Sequence, residues 1–152
     1  MNVIVVNETK TKLNSKRINN VAHQVIEFLL AKNIRNKKIL LQKKEITFVF
    51  LSANRMRKIN LQFRGKDKPT DVLSFTSADP ELFGELIFCL DVLKKQAREQ
   101  KHSIDRELLY MMIHGCLHLL GYDHELSKLE EKRMFALQDQ GFEQLSYIKT
   151  IL

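Results

Sequence analysis

An α+β domain is the fold class this sequence predicts, and three observations predict it. Four short segments have the β-branched and aromatic content of strands, five stretches place apolar residues at helical spacing, and two of the strand segments lie close enough to pair as a hairpin. A chain of 152 residues, 44% of them hydrophobic, suits one core, so residues 1–152 are expected to form a single domain.

Residues 2–6 (NVIVV) read as the first strand. A helix follows, with Ile18, Val21, Ala22, Val25, Ile26 and Leu29 on one face that a sheet or another helix must cover. After the polar stretch NIRNKK, residues 45–51 form a second strand. Ser52 or Asn54 then caps a short second helix whose apolar residues Met56, Ile59 and Phe63 share a face. Strands at 72–75 and 85–90 flank a turn region containing Asp79, Pro80 and Gly84. A third helix is expected over 91–101. Ser103, with Asp105 and Glu107 in the first turn, starts a fourth, because a hydroxyl cap and early acids satisfy free amides and the helix dipole. That fourth helix carries Leu108, Leu109, Met112, Ile113, Cys116, Leu117 and Leu120 and is expected to be the central buried helix. The fifth begins at the capping-box pattern Ser127 to Glu130.

Composition narrows the function classes. The first residues lack a basic leader, and no segment reaches the roughly 18 uninterrupted apolar residues that a membrane span needs, so a soluble chain without an export signal and without a membrane partner is expected. Cys89 and Cys116 are too few for a disulfide framework and sit in apolar stretches, which suits a reducing cytoplasm. Charge is one-sided: residues 1–68 carry 16 Lys/Arg against 4 Asp/Glu, and residues 69–152 carry 9 against 14, so the first part is +12 and the second −5. Such a field favours a polyanionic partner, although a basic surface that is merely solvated would read the same.

The chemistry concentrates in HGCLHLLGYDH, residues 114–124, which holds three of the five histidines. At about 100° per residue, His114 and His118 are only about 40° apart around a helix and one turn apart along it, so both rings can reach one cation. Gly121 is the natural helix stop, since a glycine there can take positive φ and turn the chain so that His124 faces the other two. Three neutral imidazoles suit one zinc ion better than nickel or another imidazole-binding metal, and three protein ligands leave a coordination position for water, the catalytic arrangement. The alternative is two hydrogen-bonded core histidines and one at the surface; three in this spacing favour the metal.

The spacing also matches the histidines and the glycine of the H-E-x-x-H-x-x-G-x-x-H signature of metzincin proteases. Gly115 stands where those enzymes have their general-base glutamate. Peptide hydrolysis without that carboxylate lacks the group that activates water, unless Glu125 substitutes for it.

A second segment, NLQFRGKDKPTDVLSF at 60–75, places Arg64, Lys66 and Lys68 in a loop before a strand. All three are candidate RNA contacts, and Arg64 can fork onto a phosphate, although the residues alone favour solvated surface cations. His114 is a candidate catalytic residue through the metal it would hold, and Arg64 is one if it meets the phosphate rather than solvent. Asp71 either caps nearby backbone or orients a histidine, and Asp123 is either a turn residue or a support for the ligands behind the metal.

These two motifs resemble the YbeY family of bacterial RNA-processing metalloproteins. HGCLHLLGYDH agrees with that family's H-G-x-L-H-L-x-G-Y-D-H signature at every fixed position, FRGKDKPTDVLSF agrees with its second hallmark, and the resemblance spans roughly residues 45–135. It implies an α+β fold with a mixed sheet of about four strands flanked by helices. It further implies a single-strand-selective endoribonuclease that matures ribosomal RNA ends, notably the 3′ end of the small-subunit RNA, and serves ribosome quality control. RNA and the ribosome or its small-subunit components are the implied partners. On the matching positions, His114, His118 and His124 are implied as ligands of one zinc ion, with Arg64 as the functional arginine beside them. Relatives commonly show Gly-Asp-Ile on the strand before the third helix, where this chain has Gly84, Glu85 and Leu86.

The expected activity is therefore metal-assisted hydrolysis of RNA phosphodiesters, by attack of either water or the ribose 2′-hydroxyl. A non-catalytic ribosome-assembly factor, in which zinc fixes the chain reversal and RNA is only bound, is the alternative from another class.

Overall fold

Strand residues alternate between two apolar layers, and that alternation organises the molecule. The structure is a computed structural model that describes all 152 residues. Its elements in order are β1 (Asn2–Asn7), α1 (Ser15–Leu30), α2 (Lys37–Gln42), β2 (Glu45–Leu51), α3 (Ala53–Arg64), β3 (Val72–Thr76), β4 (Leu82–Cys89), α4 (Leu90–Glu99), α5 (Ile104–Leu119) and α6 (Lys128–Gln144). The sheet order is β1-β2-β4-β3, with β1, β2 and β4 parallel and β3 antiparallel to β4, so the sheet is mixed and the expected hairpin forms.

Ile46, Phe48 and Phe50 of β2 and Leu86 and Phe88 of β4 point into the main core, which they share with α1 and α5. Leu51, Leu73, Ile87 and Cys89 point to the opposite face, where they meet Met56 of α3 in a smaller cluster. Successive strand residues face opposite ways, so one sheet serves both layers. Every apolar residue expected on the face of α1 is buried, as is every one expected on α5. Helix α5 touches β3, β4, α1, α4 and α6, which makes it the central buried helix. No helix is long and apolar enough to cross a membrane.

Caps form where hydroxyls precede the helices: Ser52 accepts from the Arg55 amide, Ser103 from Arg106 and Ser127 from Glu130. The capping box at Ser127 is half made, because the Glu130 carboxylate is taken by Arg35 and Arg133.

Six helices form, against about five expected. The extra one, α2, follows Asn36 in the left-handed region (φ 55°) and buries only Leu40, too brief a pattern to give a helical period. On α3, the face shared by Met56, Ile59 and Phe63 runs from buried to open: Met56 is buried, Ile59 packs beside it, and Phe63 is 61% exposed with its ring against Phe75. Asn60 is buried in this last part of the helix, and its amide donates to the Lys68 carbonyl at 2.7 Å, tying down the loop that follows.

Gly84 lies on β4 beside the register shift between β2 and β4, at φ +155°. A Cβ there would stand 2.5 Å from the Phe75 carbonyl oxygen and 2.6 Å from Leu119. Gly84→Ala is expected to cost about 2 kcal/mol or more, since backbone has to move. Gly65→Ala, at φ +69° with open space around it, should cost only about 1 kcal/mol. Urea unfolding of the two variants checks the order.

Candidate metal centre

His114 and His118 sit one turn apart on α5, and the chain reverses immediately after that helix. The Gly121 amide donates to the His118 carbonyl (2.9 Å) and the Tyr122 amide to the Leu117 carbonyl (3.1 Å), with Gly121 at φ +89°. This is a Schellman ending, in which a left-handed glycine satisfies the last helical carbonyls and redirects the backbone. Asp123 closes the next turn by accepting from the Glu125 amide at 2.9 Å.

Two residues that sequence reasoning missed hold this reversal from outside. Asn36 donates through its side-chain amide to the Leu120 carbonyl (2.9 Å). Arg35 donates from its backbone amide to the Tyr122 hydroxyl and from its guanidinium to the Gly121 carbonyl, both at 2.9 Å. The same guanidinium lies 4.9 Å from the Tyr122 ring centroid and pairs with both oxygens of Glu130 on α6. The hydrogen bond from Arg35 is the main reason the Glu130 carboxyl is held below its ordinary range.

The result is a triangle of imidazoles. Ring centroids are 4.6 Å apart for His114 and His118, 5.2 Å for His114 and His124, and 5.3 Å for His118 and His124. One nitrogen from each ring lies within 4.8 Å of the others. The Nε2 atoms of His114 and His118 are 3.1 Å apart. Two nitrogens on a tetrahedral zinc, each about 2.0–2.1 Å from the metal, stand roughly 3.4 Å apart, so the pair is close to ligating separation.

On its other side, His114 Nδ1 is 3.0 Å from Gln138 Oε1. An amide oxygen only accepts, so the proton sits on Nδ1 and the Nε2 lone pair faces the shared point. Burial lowers the His114 pKa, and burial first, then the neighbouring histidines, lowers that of His118 to about 4. Both rings are therefore neutral near pH 7, the form that binds metal. His124 Nδ1 and Gln138 Nε2 are buried without hydrogen-bond partners. A buried polar nitrogen left unpaired is costly, and a cation would satisfy the imidazole. These three histidines can hold a metal ion.

They line a cleft of about 790 Å³ that also includes Arg64, Lys66, Asp71, Asp123, Glu125 and Gln138. Arg64, at the end of α3, lies 3.8 Å from the Glu125 carboxylate. Lys68 is not in the cleft wall, and neither is Glu85 on β4. Asp71 accepts from the Val72 amide at 2.7 Å, the Gln96 side chain at 3.1 Å and the Thr70 hydroxyl at 3.3 Å, and none of these bonds is to a histidine. Asp123 likewise acts as a turn residue in its hydrogen bonding. A Cβ on Gly115 would meet Leu86 of β4 at 2.8 Å, so a side chain there would run into the sheet.

A family model described as endoribonuclease YbeY matches residues 4–146, well beyond the two motifs. The chain belongs to the YbeY family. Among YbeY relatives, the endoribonuclease YbeY of Bdellovibrio bacteriovorus is 45% identical over 148 residues, 95% of each chain. That of Thermotoga maritima is 37% identical over 121 residues, 76% of this chain and 81% of the relative. The solution structure of TM1509 from Thermotoga maritima aligns with a TM-score of 0.62 at 33% identity, covering 93% of this chain and 87% of that one.

Gln138→Ala removes the acceptor that fixes His114 Nδ1–H. It is expected to weaken zinc binding by about 10- to 100-fold, measured by competition with a chromophoric chelator. An affinity equal to that of the unaltered protein would show that the amide does not orient the ring.

Proposed function

We propose that this protein is a zinc-dependent endoribonuclease that cuts single-stranded RNA in the cytoplasm, with ribosomal RNA, notably the 3′ end of the small-subunit RNA, as its substrate in maturation and ribosome quality control. The observation that carries the reading is the convergence of three imidazole nitrogens in a cleft that also carries Arg64 and Lys66. Membership of a family described as an endoribonuclease supports it, and so do relatives bearing the same name.

When bound to His114, His118 and His124, one zinc ion supplies Lewis acidity at neutral pH. The chain's own residues do the rest. Gln138 keeps the His114 proton on Nδ1, away from the ligating side. Arg64 is part-exposed and engaged only by a 3.8 Å contact to Glu125, so a phosphate can displace the carboxylate and take the guanidinium in a bidentate fork. Negative charge developing on the phosphate in the transition state is then met by that fork. Lys66 adds a second cation to the cleft, and the +12 charge of residues 1–68 draws in the polyanion. Lys68, outside the cleft wall, contributes at most to this wider field.

Two experiments test the reading. Zinc at a hundredfold excess over its dissociation constant should stabilise the protein by about 2.7 kcal/mol, seen as a raised melting temperature that His118→Ala abolishes. Arg64→Ala should lower kcat on a single-stranded RNA by about 10²- to 10³-fold, and His114→Ala should remove zinc-dependent cutting. If both variants still mature ribosomal RNA in cells, the protein is an assembly factor rather than a nuclease. Product ends then identify the nucleophile, since internal attack by the 2′-hydroxyl leaves a 2′,3′-cyclic phosphate.

A further inference from the structure

Phe63 is a large apolar side chain that the fold leaves in water, although Met56 and Ile59 on the same helix pack against the sheet. The ring is nevertheless braced. It meets Phe75 of β3 edge to face, with centroids 5.1 Å apart and planes at 69°, and Phe75 packs in turn on the smaller core cluster. Both rings line the cleft that holds the three histidines. Arg64 is the next residue along the chain, and Lys66 lies in the same wall.

We propose that Phe63, braced by Phe75, is a stacking platform for one unpaired nucleobase of the RNA strand whose phosphate Arg64 engages. The proposal rests on the reading of the protein as an RNA-cutting enzyme and adds to it the residue that favours an unpaired nucleotide. Single strands alternate base and phosphate, and proteins that hold them alternate aromatic faces with cations. Phe63, Arg64 and Lys66 all line the cleft and set one aromatic ring beside two cations. An edge-to-face pair leaves at least one face of each ring uncovered by the other, so a base has a surface to lie on. A base inside a duplex has both of its own faces occupied by neighbours and cannot use it. Charge favours nucleic acid over an apolar protein segment as the occupant, because an uncharged segment seated on Phe63 would leave Lys66 unanswered and Arg64 with only its 3.8 Å contact to Glu125.

The test uses the zinc-loaded protein and a single-stranded 2′-O-methyl RNA carrying 2-aminopurine, with a matching strand in which that base is absent. Phe63→Leu keeps bulk and loses the aromatic face, and Phe63→Trp keeps both. The expected result is that Phe63→Leu binds the strand roughly tenfold more weakly, the order expected for one stacked base, and loses the quenching of 2-aminopurine. Phe63→Trp should restore both. Deleting the base should weaken binding by the unaltered protein to a similar extent and leave Phe63→Leu unchanged, a coupling that a merely structural role would not give. Equal binding by Phe63→Leu, or an equal penalty for the missing base in both proteins, overturns the platform. Cleavage of unmodified RNA by the unaltered protein, run in parallel, then shows that the nuclease reading survives it. Absence of both binding and cleavage, with Phe63→Leu shifting the sedimentation coefficient instead, overturns both and assigns the ring to a contact between protein chains.

Discussion

The left-handed turn at Gly121 is the constraint on which the cleft depends, because without it the chain would leave α5 along the helix axis and carry His124 away from the other two rings. Hydrogen bonds of the turn itself do not account for its fixity alone. Asn36 and Arg35 reach across from the segment before α2 to hold the carbonyls of Leu120 and Gly121, and Arg35 goes on to grip Glu130 at the start of α6. One guanidinium thus joins the exit of the helix that carries His114 and His118 to the entrance of the helix that supplies Gln138. Planar, multidentate donation of this kind is a property of arginine that lysine does not share.

Burial of α5 has a double effect. Gly115 lets the helix approach β4 so closely that Leu86 fills the space a side chain would need, which fixes the histidine-bearing face toward α6 and the cleft. The same burial strips water from His114 and His118 and keeps them neutral. Position and protonation state therefore have a common origin: the helix that aims the lone pairs also makes them available.

The parts of this molecule written in local patterns were legible before the structure. Four strands, the buried faces of α1 and α5, the serine caps and the histidine triangle all follow from periodicity, capping chemistry and one glycine. What escaped has no local pattern. Asn36 lies 84 residues from the carbonyl it caps, Gln138 lies 24 from the histidine it orients, and both look like ordinary polar residues of a loop and a helix. Helix α2 is too short to show a period. Helical spacing puts Phe63 on the face of Met56 and Ile59, but spacing gives a direction around the axis and not how far along it the cover extends, and Phe63 is left exposed. Asp71 has two open readings in the sequence, and its side chain accepts from Thr70, Val72 and Gln96.

Both cysteines are enclosed in the core, unpaired, and burial raises their pKa values, that of Cys116 to about 12. Thiols that stay protonated and out of solvent are poor targets for peroxide or disulfide exchange. The cation-binding triangle contains nitrogen donors only. An oxidant that acts through thiolates therefore finds neither cysteine in solvent and no thiol among the three nitrogen donors.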